Sequence, residues 1–250
     1  IDNGWTTSST EYGESLDVHL FAGLFGHLPL NSVYFNNGNM STGDMMTYYK
    51  YMFARNVKHG TAPDTWSRSN IDLMAKFNAW RKSERVRALT DTIMRPVYAG
   101  EGWDSSVAAD WNQRGGPYAM MHVSEDKERA LLIATGGGKP GEAIFDVNLR
   151  WLDPAKSYLI EDITLDDTEE VTYRYKGLLT GAALASFTVD LSENSSKGKA
   201  FWIEEFKGDD YQVLYADENV DSYSLAMDGS RIAVSGTGKA NGAGKIAVYG

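Results

Sequence analysis

The sequence predicts an α+β chain in which a helical part precedes an antiparallel β-sandwich. Apolar residues recur at helical spacing in the first part, and this spacing ends at Arg95-Pro96. Seven short alternating segments then follow, separated by Gly, Pro and Asp turns. We therefore expect a helical segment at 1–95, a sandwich at 96–207 and an additional β segment at 208–250.

Three segments of the first part have the spacing of amphipathic helices. The first, "SLDVHLFAGLFGHL", carries Leu16, Leu20 and Leu24 on one face. The second, "GDMMTYYKYMFARNVKHG", follows Ser41 and Thr42, either of which can cap it. The third is the long segment "IDLMAKFNAWRKSERVRALTDTIM". Between the first two, "PLNSVYFNN" is predicted to be a short extended run.

The second part carries the predicted strands of the sandwich. They are "YAMMHVS", "RALLIATGG", "EAIFDVNLRWL", "KSYLIEDIT", "VTYRYK", "LASFTVDL" and "AFWIEEF". Phe145, Val147, Leu149 and Trp151 alternate along the third of them, so we expect these four side chains to be buried together. Trp151→Ala would then cost about 3–5 kcal/mol as a large-to-small core substitution.

Composition excludes several classes of partner. The formal net charge is −10 and the basic residues are scattered, which argues against a nucleic-acid partner. No apolar run reaches the roughly 20 residues of a membrane span, so we expect no membrane partner. The chain has no cysteine, which excludes disulfides but leaves the compartment open, secretion and the periplasm included.

No stretch of the sequence has the spacing of a metal or phosphate site, so we expect neither a metal nor another cofactor. The four histidines, His19, His27, His59 and His122, have no paired i,i+4 spacing. The acidic run "EDITLDDTEE" lacks a glycine-pivoted calcium loop, which favours a solvated turn. The runs "TGGGKPGEA" and "GTGKANGAGK" are not followed by helices, which favours hairpin turns.

The opening stretch "WTTSSTEYGES" permits two interpretations. Glu11 and Glu14 are three residues apart, which is typical of a helix N-terminus stabilised by the macrodipole. Alternatively, a carboxyl group beside an aromatic residue suits the general acid of a glycosidase, and Glu11 lies between Trp5 and Tyr12.

Two longer stretches resemble the melibiase-type α-galactosidases. "SSTEY", "HLPLNSVYFNN" and "GDMMTYYKYMFARNVKHG" resemble, in their order, the end of the barrel in that family. The stretch from "YAMMHVSEDKERALLIAT" through "NLRWLDPAKSYLIEDI" and "YKGLLTGAALASFTV" to "AFWIEEF" is similar to the β-sandwich that packs on those barrels. The resemblance covers roughly the first four-fifths of the chain.

The resemblance implies the helical C-terminal part of a (β/α)8 barrel followed by an antiparallel β-sandwich. The chain would be the C-terminal portion of a retaining glycoside hydrolase acting on α-galactoside-like glycans. Glu11 would be its acid/base, although one branch of the family has Trp-Thr-Ser-Asp where this chain reads Trp5-Thr6-Thr7-Ser8. Trp5 and Tyr12 would contact the carbohydrate substrate.

The resemblance also implies a partner, because the Asp nucleophile of the family would lie upstream of Ile1. We therefore expect an N-terminal barrel portion or a second chain. Two other classes stay open from the residues themselves. One is a non-catalytic sandwich that binds carbohydrate or protein through its Trp and Tyr side chains, and the other is an enzyme of unrelated chemistry.

Overall fold

The computed structural model divides the chain into two compact units, Ile1–Glu205 and Phe206–Gly250. It describes residues 5–8, 33–37, 56–59, 68–92, 95–99, 118–135, 144–164, 171–192, 198–208, 212–217, 219–228, 231–239 and 242–249. The three-part division made from the sequence remains a prediction.

A parallel sheet of three short strands lies at the beginning of the first unit. Its strands are β1 (Trp5–Ser8), β2 (Val33–Asn37) and β3 (Asn56–His59), in that order across the sheet. The strand β2 confirms the extended run that was predicted there. The other two were not predicted: β1 is short and polar, and β3 occupies the end of the second predicted helix, beyond its apolar stripe.

Two helices follow where one long helix was predicted. They are α1 (Arg68–Lys82) and α2 (Glu84–Thr90), separated by Ser83. The Ser83 backbone is extended, at φ −59° and ψ 148°, and its hydroxyl donates to the Trp80 carbonyl oxygen at 2.7 Å. This side-chain hydrogen bond competes with the helical backbone pattern at the point where α1 ends and α2 begins.

A six-stranded antiparallel sheet dominates the rest of the first unit. Its strands are β4 (Arg95–Ala99), β5 (Tyr118–Val123), β6 (Arg129–Thr135), β8 (Ser157–Thr164), β9 (Thr172–Thr180) and β11 (Gly198–Glu205). They are ordered β4-β5-β6-β11-β8-β9. A two-stranded sheet pairs β7 (Ile144–Val147) with β10 (Phe187–Asp190), which follows a short 3-10 helix at Ala183–Ser186.

One face of the six-stranded sheet packs on the two-stranded sheet, which confirms the predicted sandwich. Phe187 of β10 and Phe201 of β11 meet edge to face, with ring centroids 5.3 Å apart. Both sheets contribute to one buried apolar core, which includes Met121, Leu132, Phe145, Val147, Tyr158, Ile160, Val189 and Ile203. All seven predicted segments contain strands, and β4 is an additional one.

The opposite face of the six-stranded sheet is buried as well. Met120, Leu131 and Trp202, which alternate with the sandwich core, are almost wholly inaccessible to solvent. The helix α2 contacts β5 and β6 on this side. The indole nitrogen of Trp80 in α1 donates a hydrogen bond of 2.7 Å to the hydroxyl oxygen of Tyr173 in β9. Burial on both faces explains why β5, β6 and β11 are nearly continuous apolar runs.

The prediction for Trp151 is wrong in part. Phe145, Val147 and Leu149 are buried, but Trp151 is only half-buried. The strand β7 ends at Val147, and Trp151 lies in the turn that follows, where the alternation of a strand no longer decides its direction. We therefore expect Trp151→Ala to cost less than the full value for a core residue.

The second unit consists of two antiparallel strand pairs. The strand β12 (Gln212–Ala216) pairs with β15 (Ile246–Tyr249), and β13 (Val220–Asp228) pairs with β14 (Arg231–Gly238). Hydroxyl groups face each other across the second pair, where Ser224 Oγ lies 2.7 Å from Ser235 Oγ. The β character predicted for the tail is therefore present.

Gly181 is expected to be indispensable for the turn after β9. A Cβ atom at this position would lie 1.9 Å from the carbonyl oxygen of Asp153. Gly181→Ala should therefore force the two backbones apart and destabilise the first unit by about 1–3 kcal/mol or more. Gly177→Ala is the matched control, because a Cβ there meets nothing within 4 Å. Urea unfolding curves of both variants check this, and equal midpoints would contradict it.

Candidate functional site

The residues predicted for catalysis fall at the parallel sheet or outside the described residues. Trp5 is the first residue of β1, described by its backbone, whereas Glu11 and Tyr12 lie outside the described part of the chain. In sequence, Glu11 follows the last residue of β1 by three positions. The structure therefore does not test whether these three side chains come together.

The carboxyl ends of the three parallel strands lie at one edge of their sheet. Ser8 of β1 pairs with Asn36, and Asn37 of β2 pairs with His59 of β3, so the three ends are nearly level. In parallel sheets this edge is where the following loops converge and where ligand sites are usually found.

The segment "SEDK" forms a tight turn between β5 and β6. The Ser124 hydroxyl donates to the Asp126 carboxylate at 2.6 Å and accepts from the Arg129 backbone N–H at 2.9 Å. The same carboxylate accepts from the Glu128 backbone N–H at 2.9 Å. These two hydrogen bonds to the carboxylate lower the pKa of Asp126 below its ordinary value, and the bond from Ser124 has the larger effect. Lys127 at the tip has a positive φ of 58°.

Tyr158 joins this turn to the Leu-Asp-Pro turn before β8. Its hydroxyl donates to the Lys127 carbonyl oxygen at 2.9 Å and accepts from the Asp153 backbone N–H at 3.0 Å. Burial raises the pKa of Tyr158, which keeps the hydroxyl protonated and able to donate. Nearby, the Lys156 ammonium pairs with the Glu205 carboxylate at 2.7 Å.

The motifs that carry the family resemblance thus meet at one end of the sandwich. Ser124 and Asp126, Asp153, Tyr158 and Gly181 come from separate stretches, yet each helps to fix the same pair of turns. Their hydrogen-bonding groups bind one another, so their role is structural. The motifs in this part of the chain therefore serve the fold.

A cavity of about 500 Å³ opens beside these turns. Its walls come from the end of α2, the start of β4, the "SEDK" turn and Trp151. It is lined by Ala88, Asp91, Thr92, Arg95, Val123, Ser124, Glu125, Lys127 and Trp151. The Arg95 guanidinium carbon lies 4.2 Å from the centre of the Trp151 ring, and that of Arg150 lies 5.0 Å from it.

A second polar cluster ties α2 to the sheet. Arg85 pairs with Glu204 at 2.5 Å, and its guanidinium lies 4.2 Å from the centre of the Trp202 ring. The Trp202 indole nitrogen also donates to Glu204, at 2.8 Å. Burial raises the pKa of Glu204, but the hydrogen bonds from Trp202 and Arg85 outweigh it and hold the pKa below its ordinary value. On the neighbouring strand, burial raises the pKa of Glu161.

His122 is fully buried beneath the helices. Its Nδ1 lies 3.4 Å from the Thr92 hydroxyl oxygen, and within the described structure its Nε2 has no hydrogen-bond partner. Burial lowers its pKa to about 4, against a smaller opposing effect of a hydrogen bond with Thr92. The ring is therefore neutral at neutral pH and acts as a core residue.

The described residues contain no group of three or more His, Asp or Glu side chains placed to hold a metal ion. Residues 165–170 of the acidic run, as well as His19 and His27, lie outside them. No helix within the described ranges is long and apolar enough to cross a membrane.

Comparison with known proteins gives matches among solved structures alone. No protein-family model and no curated protein matches the chain. An α-galactosidase from Lactobacillus brevis matches with a TM-score of 0.46 at 14% identity, over 70% of this chain and 22% of that one. A family 36 α-galactosidase from Geobacillus stearothermophilus, bound to 1-deoxygalactonojirimycin, matches with a TM-score of 0.42 at 18% identity, over 64% of this chain and 19% of that one. A family 97 glycoside hydrolase from Pseudoalteromonas matches with a TM-score of 0.34 at 14% identity, over 64% of this chain and 22% of that one.

This chain spans about a fifth of the length of these solved proteins. The α-galactosidases among them are of the class that the sequence motifs resemble.

Sequence reasoning missed the cavity and the Arg85 cluster because each joins residues far apart in the chain. Arg85 and Glu204, for example, are 119 positions apart. The sequence signal that could have indicated the cluster is "FWIEE", in which charged residues directly follow an apolar, aromatic run. A strand with only one buried face would not need such a run.

The Tyr158 hydroxyl is expected to contribute measurably to stability. Tyr158→Phe leaves the Asp153 N–H and the Lys127 carbonyl without their side-chain partner, which should cost about 1–3 kcal/mol. Tyr223→Phe serves as the control, because Tyr223 is 49% exposed. Urea unfolding followed by circular dichroism gives both values. Indistinguishable variants would show that the two turns do not depend on this hydroxyl.

Stability should fall in mild acid because of His122. Its folded pKa of about 4 is below the ordinary 6.5, so only the unfolded chain takes up this proton between those values. The contribution is complete above pH 6.5 and is lost as the pH falls to about 4. At roughly 1.4 kcal/mol per pKa unit, the loss is about 3 kcal/mol.

His122→Leu removes this proton uptake. The unfolding free energy of the wild type minus that of the variant should therefore decrease from pH 7 to pH 4. A difference that is independent of pH would contradict the burial of a neutral ring.

Proposed function

We propose that the chain is the C-terminal portion of a retaining glycoside hydrolase that acts on α-galactoside-like glycans. The observation that carries the proposal is the parallel sheet of β1, β2 and β3, which precedes the helices and the sandwich. Trp5 begins the first strand of this sheet, and Glu11 follows the strand's carboxyl end in sequence. Catalytic residues of barrel enzymes come from the loops at that end of the strands.

The chemistry requires two carboxyl groups. In a retaining mechanism they stand about 5–5.5 Å apart, one as nucleophile and the other as acid and then base. We assign the acid/base role to Glu11, with Trp5 and Tyr12 against the sugar. A neighbouring aromatic ring raises the pKa of a carboxyl group by excluding water, which keeps it protonated for the first step. The nucleophile would be an Asp outside this sequence.

The described residues place three parallel strands in this sheet, whereas a (β/α)8 barrel has eight. Parallel sheets are found almost only with both faces covered, as in closed barrels. We propose that an N-terminal barrel portion, or a second chain, supplies the further strands that a closed barrel around β1, β2 and β3 would need.

Glu11→Gln in the complete protein tests the assignment. Proton transfer by a positioned side chain contributes about 10²–10⁴-fold, so turnover of a natural α-galactoside should fall by about that factor. An aryl α-galactoside with a good leaving group needs little protonation, so its first step should be affected much less. Azide, which needs no general base, should restore the second step and give the α-glycosyl azide.

Glu14→Gln is the matched control, because Glu14 lies three residues further along the same stretch. It should leave both substrates near wild-type rates. If Glu11→Gln also leaves both rates unchanged and alters only stability by a few tenths of a kcal/mol, Glu11 belongs to a helix terminus. The proposed catalytic role is then wrong.

A further inference from the structure

The cavity beside Trp151 has the size and the walls of a small-molecule site. Its volume of about 500 Å³ falls within the roughly 300–1,000 Å³ of ligand pockets. The structural roles assigned to the neighbouring turns account for Ser124, but not for the side chains of Glu125, Lys127 and Trp151 at its surface. Trp151 has a buried indole N–H for which the described structure offers no acceptor.

The charges of the cavity favour a neutral ligand. Arg95 and Lys127 line it together with Asp91 and Glu125, so two positive and two negative side chains balance. A phosphate or another anion would meet the two carboxylates, and a cation would meet the two basic groups. Hydroxyl groups donate to carboxylates and accept from guanidinium and ammonium groups, so a ligand rich in hydroxyls satisfies both sets.

The apolar part of the wall is consistent with the same ligand class. Trp151 presents an aromatic side chain next to Val123, and aromatic rings pack against apolar C–H groups. A purely apolar ligand would make no hydrogen bond with the charged side chains at this surface.

Several walls of the cavity are held in place before any ligand binds. The Lys127 backbone N–H donates to the Ser124 carbonyl oxygen at 3.0 Å, and its own carbonyl oxygen accepts from Tyr158. Arg95 belongs to β4, and its guanidinium rests on the Trp151 ring. Such preorganisation reduces the entropy lost on binding.

We propose that this cavity binds a neutral saccharide of one or a few rings. The binding uses none of Trp5, Glu11 and Tyr12, so it does not depend on the proposed catalytic function. Glu125 and Lys127 on the "SEDK" turn would contact the sugar hydroxyls, and the part of the Trp151 side chain that Arg95 and Arg150 leave uncovered would contact its C–H groups.

The indole N–H signal of Trp151 in a ¹⁵N-labelled chain provides the test. Trp151→Phe assigns that signal among those of the seven tryptophans. The probes are methyl α-galactoside and maltose as neutral saccharides, inorganic phosphate as an anion and choline as a cation. We expect a saturable shift with at least one saccharide and little shift with phosphate or choline.

Two variants show whether the cavity itself is the binding site. Glu125→Ala removes a charged acceptor and should raise the half-saturating saccharide concentration about tenfold, because a hydrogen bond to a charged group contributes about 1.5–3 kcal/mol. Asp221→Ala removes an exposed carboxylate from the second unit and should leave that concentration unchanged. The shift should also persist in Glu11→Gln.

The proposal is overturned if neither saccharide shifts the Trp151 signal, or if phosphate or choline shifts it more than the saccharides do. It is also overturned if Glu125→Ala has no more effect than Asp221→Ala. A saccharide response lost in Glu11→Gln but retained in Glu125→Ala would place the binding at Glu11, against this inference and in favour of the proposed function.

Discussion

The first unit depends on one constraint, which is that its six-stranded sheet is apolar on both faces. Met121 and Leu132 point to one side, and Met120 and Leu131, their neighbours in sequence, point to the other. A sheet of this kind is stable only when two layers cover it. The strands β7 and β10 supply one layer, and helices supply contacts on the other side.

The constraint at the end of the sandwich is of a different kind. There the backbone of two turns must be satisfied close to the core, and side chains from distant stretches provide the hydrogen bonds. Tyr158 is the central group, since a single hydroxyl serves one backbone group in each turn. The sequence motifs in this region therefore hold the two turns at the end of the sandwich in place. The cavity beside Trp151 lies against the same turns.

The sequence predicted those parts of the fold whose signal is local. The strands from β5 to β11 were recognised because each is a short apolar or alternating run between turn residues. The break at Ser83 was missed because the apolar spacing continues across it, from Phe77 and Trp80 to Val86 and Leu89. The alternation of β7 was carried too far, to Trp151, because nothing in the pattern marks the end of that strand at Val147.

The candidate site was less predictable, for physical reasons. Trp5 was singled out by its residue type. Its strand is only four residues long and polar, so no local pattern indicates that it pairs with β2, which lies further along the chain. The cavity joins Arg95, Glu125 and Trp151, which neither share an element nor follow a spacing. Interactions of this kind depend on topology, which a single sequence specifies only weakly.

The strand order has a consequence for how the first unit forms during synthesis. The strand β11, the last of the sheet in sequence, lies between β6 and β8 at its centre. Until residues 198–205 leave the ribosome, β6 and β8 have no neighbour on that side, and each presents an open edge to other chains. The sheet can close only afterwards, through contacts of long sequence separation that are slow to form. A nascent chain halted before β11 is therefore a substrate for chaperones or for aggregation, even though five of its six strands are already made.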